Sequence, residues 1–476
     1  MTSLSELLEG RPELVRVSAD EVLEARERAG DVTVYVVLDD DPTGTQSVAD
    51  LPVLTAWEVD DFRWAFATGK PAVYVMTNSR SLAPDDAARV NREVVAAALA
   101  AADGARVAFI SRSDSTLRGH FPLEPLTIAE EFRQSTGVGV DGIVVVPAFG
   151  DAGRITVGGV HYAGSKAEGF VPVGESEFAR DATFGYTSSS LPDWAEEKSG
   201  GAIKADDVLV LDLTTLRTDR AASVELLRSA KDAQVIAVDI VEEEDLRQLS
   251  LALVEAETAG SQFIYRVAPP FPRARIGQAV HPPVTVEEIR ASRADREVAK
   301  GGLIVIGSHV DLTTRQLNHL REVQSPVELE LDVARVIDPA ERDAHVADIA
   351  ARAATALDEG NVVVRTSRTL VKGADGDKSL DISRQVSAAV VEVVQRVLAA
   401  NAPRFVVAKG GITSSDVATR GLGIRHATVI GPMLPGIVSL WSGQDGPAAG
   451  IPYVVFAGNV GGAESLADVV DKLSQA

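Results

Sequence analysis

VTVYVVLDDDPTGTQS, residues 32–47, runs an apolar strand straight into Asp39, Asp40 and Asp41 and then a Thr43-Gly44 turn. FVVAKGGITSSD, residues 405–416, does the same with a different chemistry: another strand, then Gly410, Gly411, Thr413 and Ser414. Carboxylates at a strand end suit hydroxyl groups, a metal ion or proton transfer. A glycine-hydroxyl turn suits phosphate, because backbone N–H groups can approach an anion closely there.

Outward from these two stretches, short β-branched runs alternate with long Ala-rich amphipathic segments. That alternation predicts α/β units around mostly parallel sheets. VTVYVVL (32–38), AVYVM (72–76), RVAFI (106–110) and GIVVV (142–146) read as strands, and 84–102 reads as a helix with Pro and Asp in its first turn. From Gly150 to about residue 205 the pattern loosens into Gly- and Ser-rich sequence, and regular alternation resumes with VLVLDL, QVIAVDI and QFIYRV. The acidic run VEEEDL (241–246) reads as the cap of a solvated helix. Prolines at 269, 270, 272, 282 and 283 mark a boundary, after which LIVIGS opens a second α/β series. The expected organisation is a helical extension over 1–30, a domain over 31–275, a linker over 276–300 and a second domain over 301–476. The fold class is α/β, with two domains, each a mostly parallel sheet flanked by helices, and the active site is expected in the cleft between them.

A chain of 476 residues is long for one core. Its 46 basic and 69 acidic residues give a net charge of −23, which argues against a nucleic-acid or anionic-lipid partner. The absence of cysteine excludes disulfides, a thiol nucleophile and cysteine–zinc sites. With no apolar run of membrane-spanning length and no secretory pattern at the N-terminus, the expected location is cytoplasmic. A homodimer is the expectation from the prevalence of cyclic dimers among soluble enzymes.

Several loops that follow strands carry further chemistry. Arg80 in TNSRSL (77–82) can pair with a carboxylate in two-pronged fashion, or it is a surface arginine. ISRSDSTLRGHF (110–121) gathers Arg112, Ser113, Asp114, Ser115, Thr116 and Arg118, a density of hydroxyls and guanidinium groups suited to a small polyhydroxy anion. One aspartate of 39–41 can take a proton from a substrate hydroxyl while another orients substrate or Mg²⁺; the same residues also make a polar turn and helix cap. In the second half, Ser308 in VIGSHVDLTTRQL, the GGITSS turn, GPMLPGI and FAGNVGG supply four loops after strands, which together favour a nucleotide site. No Walker P-loop, GxGxxG fingerprint, HExxH zinc motif or GxSxG elbow occurs. His120 and His161 stand out only as neighbours of polar motifs.

In this order, the motifs resemble the four-carbon acid sugar kinase family, formerly a domain of unknown function. The resemblance rests on DDPTG (40–44), TNSR (77–80), SRSDSTLRG (111–119), PAFGDAGRITVGGVHY (147–162), FARD (178–181), GSHVDLTTRQ (307–316), KGGITSS (409–415), GPMLPG (431–436) and AGNVGG (457–462). It implies an N-terminal acid-sugar domain, a C-terminal nucleotide domain, and ATP- and Mg²⁺-dependent phosphorylation of a threonate, erythronate or 3-oxo-tetronate. Carried over by motif, Asp40 and Asp41 are the catalytic candidates. Asp40, Asp41, Arg80, Arg112, Ser113, Asp114 and Ser115 would contact the acid sugar. Ser308, Gly410, Gly411, Ile412, Thr413, Gly458, Asn459, Val460 and Gly461 would contact ATP; no metal ligand is assigned. The competing readings are an NAD-dependent dehydrogenase or lyase of a small hydroxy acid, and a non-catalytic sugar-acid sensor.

Overall fold

A computed structural model describes residues 1–368 and 376–476, the side chains of 376–380 excepted. The chain forms two compact units, Met1–Val280 and His281–Ala476.

In the first unit the Val-rich runs become strands because both faces of a parallel sheet are covered, so nearly every side chain of the runs is buried. The strands are β1 (Val34–Asp39), β2 (Leu51–Leu54), β3 (Ala72–Met76), β4 (Val107–Arg112), β5 (Gly142–Val146), β6 (Arg154–Val157), β7 (Val160–Ser165), β8 (Gly169–Pro172), β9 (Leu209–Leu211), β10 (Gln234–Val238) and β11 (Phe263–Val267). The parallel sheet has the order β2-β3-β1-β4-β11-β5-β10-β9. Leaving β3, the chain crosses over β1 to reach β4. The crevice beyond the C-terminal ends of these three strands is therefore a switch point, where open α/β sheets bind ligands.

The helix Pro84–Ala101 shows how sequence sets the packing. Pro84 stands at its start with Asp85 and Asp86 in the first turn, and Ala87, Val90, Asn91, Val94, Ala98 and Ala101 fall on one buried face. Its valines join Val36, Val73, Val75 and Phe109 from the strands in one core. Fully burying each such side chain contributes about 1.5–3 kcal/mol.

Two expectations change. The loosened stretch after Gly150 contains a separate antiparallel sheet, β6-β7-β8, and a helix, Leu191–Lys198. Its strands are short and only partly buried, so no long apolar run betrays them; Gly158 and Gly159, both at positive φ, form the β6–β7 turn. The acidic run 241–246 does cap a helix, Glu243–Thr258, through Glu242 and Asp245. That helix is largely buried rather than solvated, and Asp245 is held by Arg217 in a two-pronged pair at 2.8 and 2.9 Å.

The second unit contains β12 (Leu303–Ile306), β13 (Val327–Leu331), β14 (Val362–Thr366), β15 (Val406–Lys409), β16 (His426–Leu434), β17 (Ile437–Gly443) and β18 (Pro452–Phe456). Their order is β13-β14-β12-β15-β18-β17-β16, parallel through β18 and antiparallel for the last two strands. Helices Asp311–Gln324, Arg342–Ala356, Gly376–Ala400 and Ser465–Gln475 belong to this unit. Among the described residues, no helix of either unit is long and apolar enough to cross a membrane.

The Arg217–Asp245 pair gives a test of this packing. Asp245→Ala leaves a buried guanidinium unpaired and removes the helix cap, so it should lower stability by about 3–5 kcal/mol. Urea denaturation should show a lower midpoint with an unchanged slope.

Candidate functional site

In the first unit, register does the assembling. Asp39, the last residue of β1, lies directly opposite Arg112, the last residue of β4. Asp39 and Asp40 are each 2% exposed and Arg112 is 3% exposed, so these charges have left water and need partners. Arg112 pairs with Asp39, reaches Asp40 at 3.5 Å and donates to the Asp41 carbonyl at 2.5 Å. Gly44 lies against this pair: a Cβ there would overlap the Asp39 carboxylate and the Arg112 guanidinium. From the loop after β3, Arg80 Nη2 lies 3.3 Å from Asp40 and 3.1 Å from Asp41, and its Nη1 lies 3.8 Å from Asp114. Arg118 Nε closes the ring at 2.7 Å from Asp114, and its Nη1 lies 3.6 Å from Asp181.

Within this cluster the two catalytic candidates differ. Asp41 is committed on both oxygens: Oδ1 accepts from the Thr43 N–H at 2.9 Å, and Oδ2 faces Arg80. Asp40 shares Oδ1 with both arginines, but its Oδ2 has no hydrogen-bond partner among the described residues and lies toward Gly119. Burial pushes the Asp40 carboxyl well above the usual aspartate range; Arg80 opposes this, while Glu124, Asp41 and Asp114 add to it. Asp114 goes the other way: burial is outweighed by Arg80 and Arg118, which hold it below the ordinary range. Burial also works against the charge on Arg80, and Asp40, Asp41 and Asp114 more than restore it. Asp40, Asp41, Arg80, Arg112 and Asp114 thus form one constellation. Ser113 and Ser115 are buried within their loop. A cavity of about 560 Å³ lies elsewhere in this unit, lined by Ala148, Gly153, Phe170, Glu243 and Arg273 and by none of these five.

In the second unit three loops, those after β12, β15 and β18, converge at the C-terminal edge of the parallel strands; the fourth expected loop, GPMLPGI, instead forms the end of β16 and its tight turn into β17. The Gly307 and Ser308 N–H groups donate to the Lys409 carbonyl at 3.2 and 3.3 Å, and the Gly410 N–H donates to the Phe456 carbonyl at 2.8 Å. Thr313 Oγ1 lies 3.1 Å from Ser308 Oγ and donates to the Gly458 carbonyl at 2.9 Å. Gly410 takes φ 121°, a region closed to side chains, and so lets the turn pass beside Ser308. Gln316 Nε2 ties down the neighbouring loop through the carbonyls of Val460 and Gly462 at 3.0 and 2.8 Å. Ser308, Gly410, Thr413 and Gly458 are therefore brought together, whereas Ile412 is 64% exposed and Asn459 points to solvent. A slot of about 260 Å³ adjoins Thr413 and Gly307, with Val333, Ile382, Val386, Val390 and Ile412 on its apolar walls.

A family model for a sugar-binding N-terminal domain matches residues 35–275, and one for a nucleotide-binding C-terminal domain matches residues 303–466. The chain belongs to the four-carbon acid sugar kinase family. A D-erythronate kinase of Heliobacterium modesticaldum is 26% identical over 298 residues, which is 62% of this chain and 60% of the length of that relative. Among solved structures, a Salmonella typhimurium LT2 protein given a provisional tRNA synthase name is 19% identical, with TM-score 0.66 over 92% of this chain and 98% of its own. Haemophilus influenzae protein HI1011 is 16% identical, with TM-score 0.59 over 91% and 98%. The two structures show a shared fold.

In this member of the acid sugar kinase family, His161, which stood out only as a neighbour of polar motifs, acts with two residues the sequence reading did not single out, Tyr186 and Arg266. Three buried side chains clamp carbonyls of the 113–119 loop. His161 Nε2 meets the Ser115 carbonyl at 2.8 Å, Tyr186 donates to that of Thr116 at 2.5 Å, and Arg266 donates to that of Arg118 at 3.2 Å. Thr156 Oγ1 sits 2.9 Å from His161 Nδ1 and fixes the ring, while burial pulls the imidazole pKa down to about 4. An arginine inside the otherwise apolar QFIYRV strand was the available signal for Arg266; nothing local marks Tyr186.

The crowding at Gly44 yields the prediction for this site. Gly44→Ala should force the Asp39–Arg112 pair apart, lowering stability by about 1–3 kcal/mol. Thermal denaturation would measure the loss.

Proposed function

We propose that this chain is an ATP-dependent kinase that phosphorylates a hydroxyl of a four-carbon sugar acid, with D-erythronate the first candidate. The observation that carries the reading is Asp40, a buried carboxylate with one unclaimed oxygen among four arginines and aspartates of the sugar-binding unit. A base needs a free lone pair and a pKa lifted toward the working pH, and Asp40 has both. Asp40 would accept the proton of the attacking hydroxyl. Asp41, held by Thr43 and Arg80, would orient a neighbouring hydroxyl. Arg80 and Arg118, the more exposed guanidinium groups, would take the substrate carboxylate, and Arg112 would act through Asp39 and Asp40. The D-erythronate kinase among the relatives supports the acceptor class.

The nucleotide would occupy the second unit. Its base would enter the apolar slot beside Ile382, Val386 and Val390, and its phosphates would lie on the Ser308, Gly410–Thr413 and Gly458–Gly461 loops. The hydroxyl of Ser308, partly exposed and propped from below by the buried Thr313, is a hard oxygen donor at this edge and would fit a Mg²⁺ carried in on the triphosphate. When bound, such an ion would neutralise charge on the phosphates, while the protein would align the hydroxyl with the phosphorus and keep competing water away.

Purified chain with ATP, Mg²⁺ and D- and L-erythronate, D- and L-threonate and the 3-oxo acids should release ADP with at least one acid and not without it. Silence across the panel would sink the reading. Asp40→Asn should lower kcat by about 10²–10⁴-fold. Because Asp40 must be ionised to act and its pKa is raised, wild-type kcat should fall as pH drops through a value above the ordinary aspartate range. Near-normal turnover of Asp40→Asn would reassign the base.

A further inference from the structure

Lys409 ends β15 with an ammonium that no carboxylate answers among the described residues. Its side chain is fully buried. Register places it opposite Phe456 on β18, its Nζ lies 3.8 Å from the centre of the Phe456 ring, and it donates to the Ala457 carbonyl at 2.8 Å. A cation over an aromatic face gains some stabilisation, but far less than desolvating an ammonium costs. Burial alone pulls its pKa down, to about 7. A buried charge of this kind is expensive to keep unless something of opposite sign comes to it.

Its location says what that would be. Lys409 immediately precedes Gly410, and the carbonyl it holds immediately precedes Gly458. The ammonium thus sits at the root of both glycine loops and ties them to each other. Arg368, another cation at this edge, is occupied by the Ser308 carbonyl and by Thr314 Oγ1 at 2.6 Å. The loops themselves offer only neutral donors.

We infer that Lys409 is a positioning residue for the nucleotide's phosphates: it fixes the 457–462 loop against the Gly410 turn and supplies the positive charge under both. The inference rests on the nucleotide reading of this unit and deepens it. A residue that merely holds the fold would affect every nucleotide alike, whereas a counter-charge is felt in proportion to the phosphates.

The test is calorimetric titration of the full chain with AMP, ADP and ATP, in wild type, Lys409→Met, Lys409→Gln and Lys409→Arg. Lys409→Gln keeps an N–H donor for the Ala457 carbonyl without the charge, and it serves where methionine is not tolerated. Both neutral variants should weaken ATP about tenfold or more, the loss growing from AMP to ATP, and Lys409→Arg should recover most of it. KM for the sugar acid should stay within about twofold, since that ligand is held by the other unit. Equal weakening of all three nucleotides, or none, would overturn the role of Lys409 while leaving the nucleotide site standing. A wild type that binds none of the three would remove the nucleotide reading and this inference with it.

Discussion

Two carboxylates are buried at the end of β1, and much of the first unit is arranged so that they can be. Asp39 and Asp40 are almost wholly out of water, and an isolated carboxylate in that setting would give up its charge. Arg112 answers both because β4 pairs with β1 in a register that ends on the same level. Arg80 answers Asp40 and Asp41 because the β3 loop turns back over β1, its own N–H donating to the Asp40 carbonyl at 3.2 Å. The requirement for glycine at 44 follows from the same pairing, since any side chain would stand where the charges meet. The balance is uneven, and Asp40 keeps one oxygen without a partner. That imbalance gives a structural cluster a chemical use.

The second unit reaches its site by the opposite route. Here the constraint is neutral backbone rather than charge: glycines let the loops after β12, β15 and β18 come within hydrogen-bond distance of one another, and hydroxyls of Ser308 and Thr313 knit them. A buried charge at the root of these loops is Lys409, shielded from solvent and held by a carbonyl and a ring. One unit thus gathers opposed charges suited to a small polar acid. The other gathers donors around cations, suited to a polyanion.

Much of this was legible before any coordinates. The Val-rich runs are strands because a two-sided parallel sheet demands unbroken apolar sequence, and the 84–102 helix declared its start with Pro84 and Asp85. The carboxylate and arginine motifs lie at strand ends, where α/β sheets present ligands. Less legible were short elements with mixed burial: β6, β7 and β8 carry too few buried residues for a period to emerge. The run at 241–246 misled in part because its string of glutamates masks Asp245, whose partner Arg217 is distant in sequence. His161, Tyr186 and Arg266 act on backbone carbonyls, and a carbonyl looks the same in every residue.

The sequence alone determined the family, the two α/β units, and the kinds of groups gathered at each strand edge, because these depend on local patterns of apolarity, turn residues and charge. Tertiary structure decided which member of each set has a free hand. Asp40 rather than Asp41 keeps an open oxygen, Arg112 rather than Arg80 is sealed inside, and Lys409 rather than any exposed lysine lies beneath the loops. Those distinctions depend on burial and on partners from distant strands, and a strand's neighbours are set by how the sheet is wound rather than by the residues beside it in the chain.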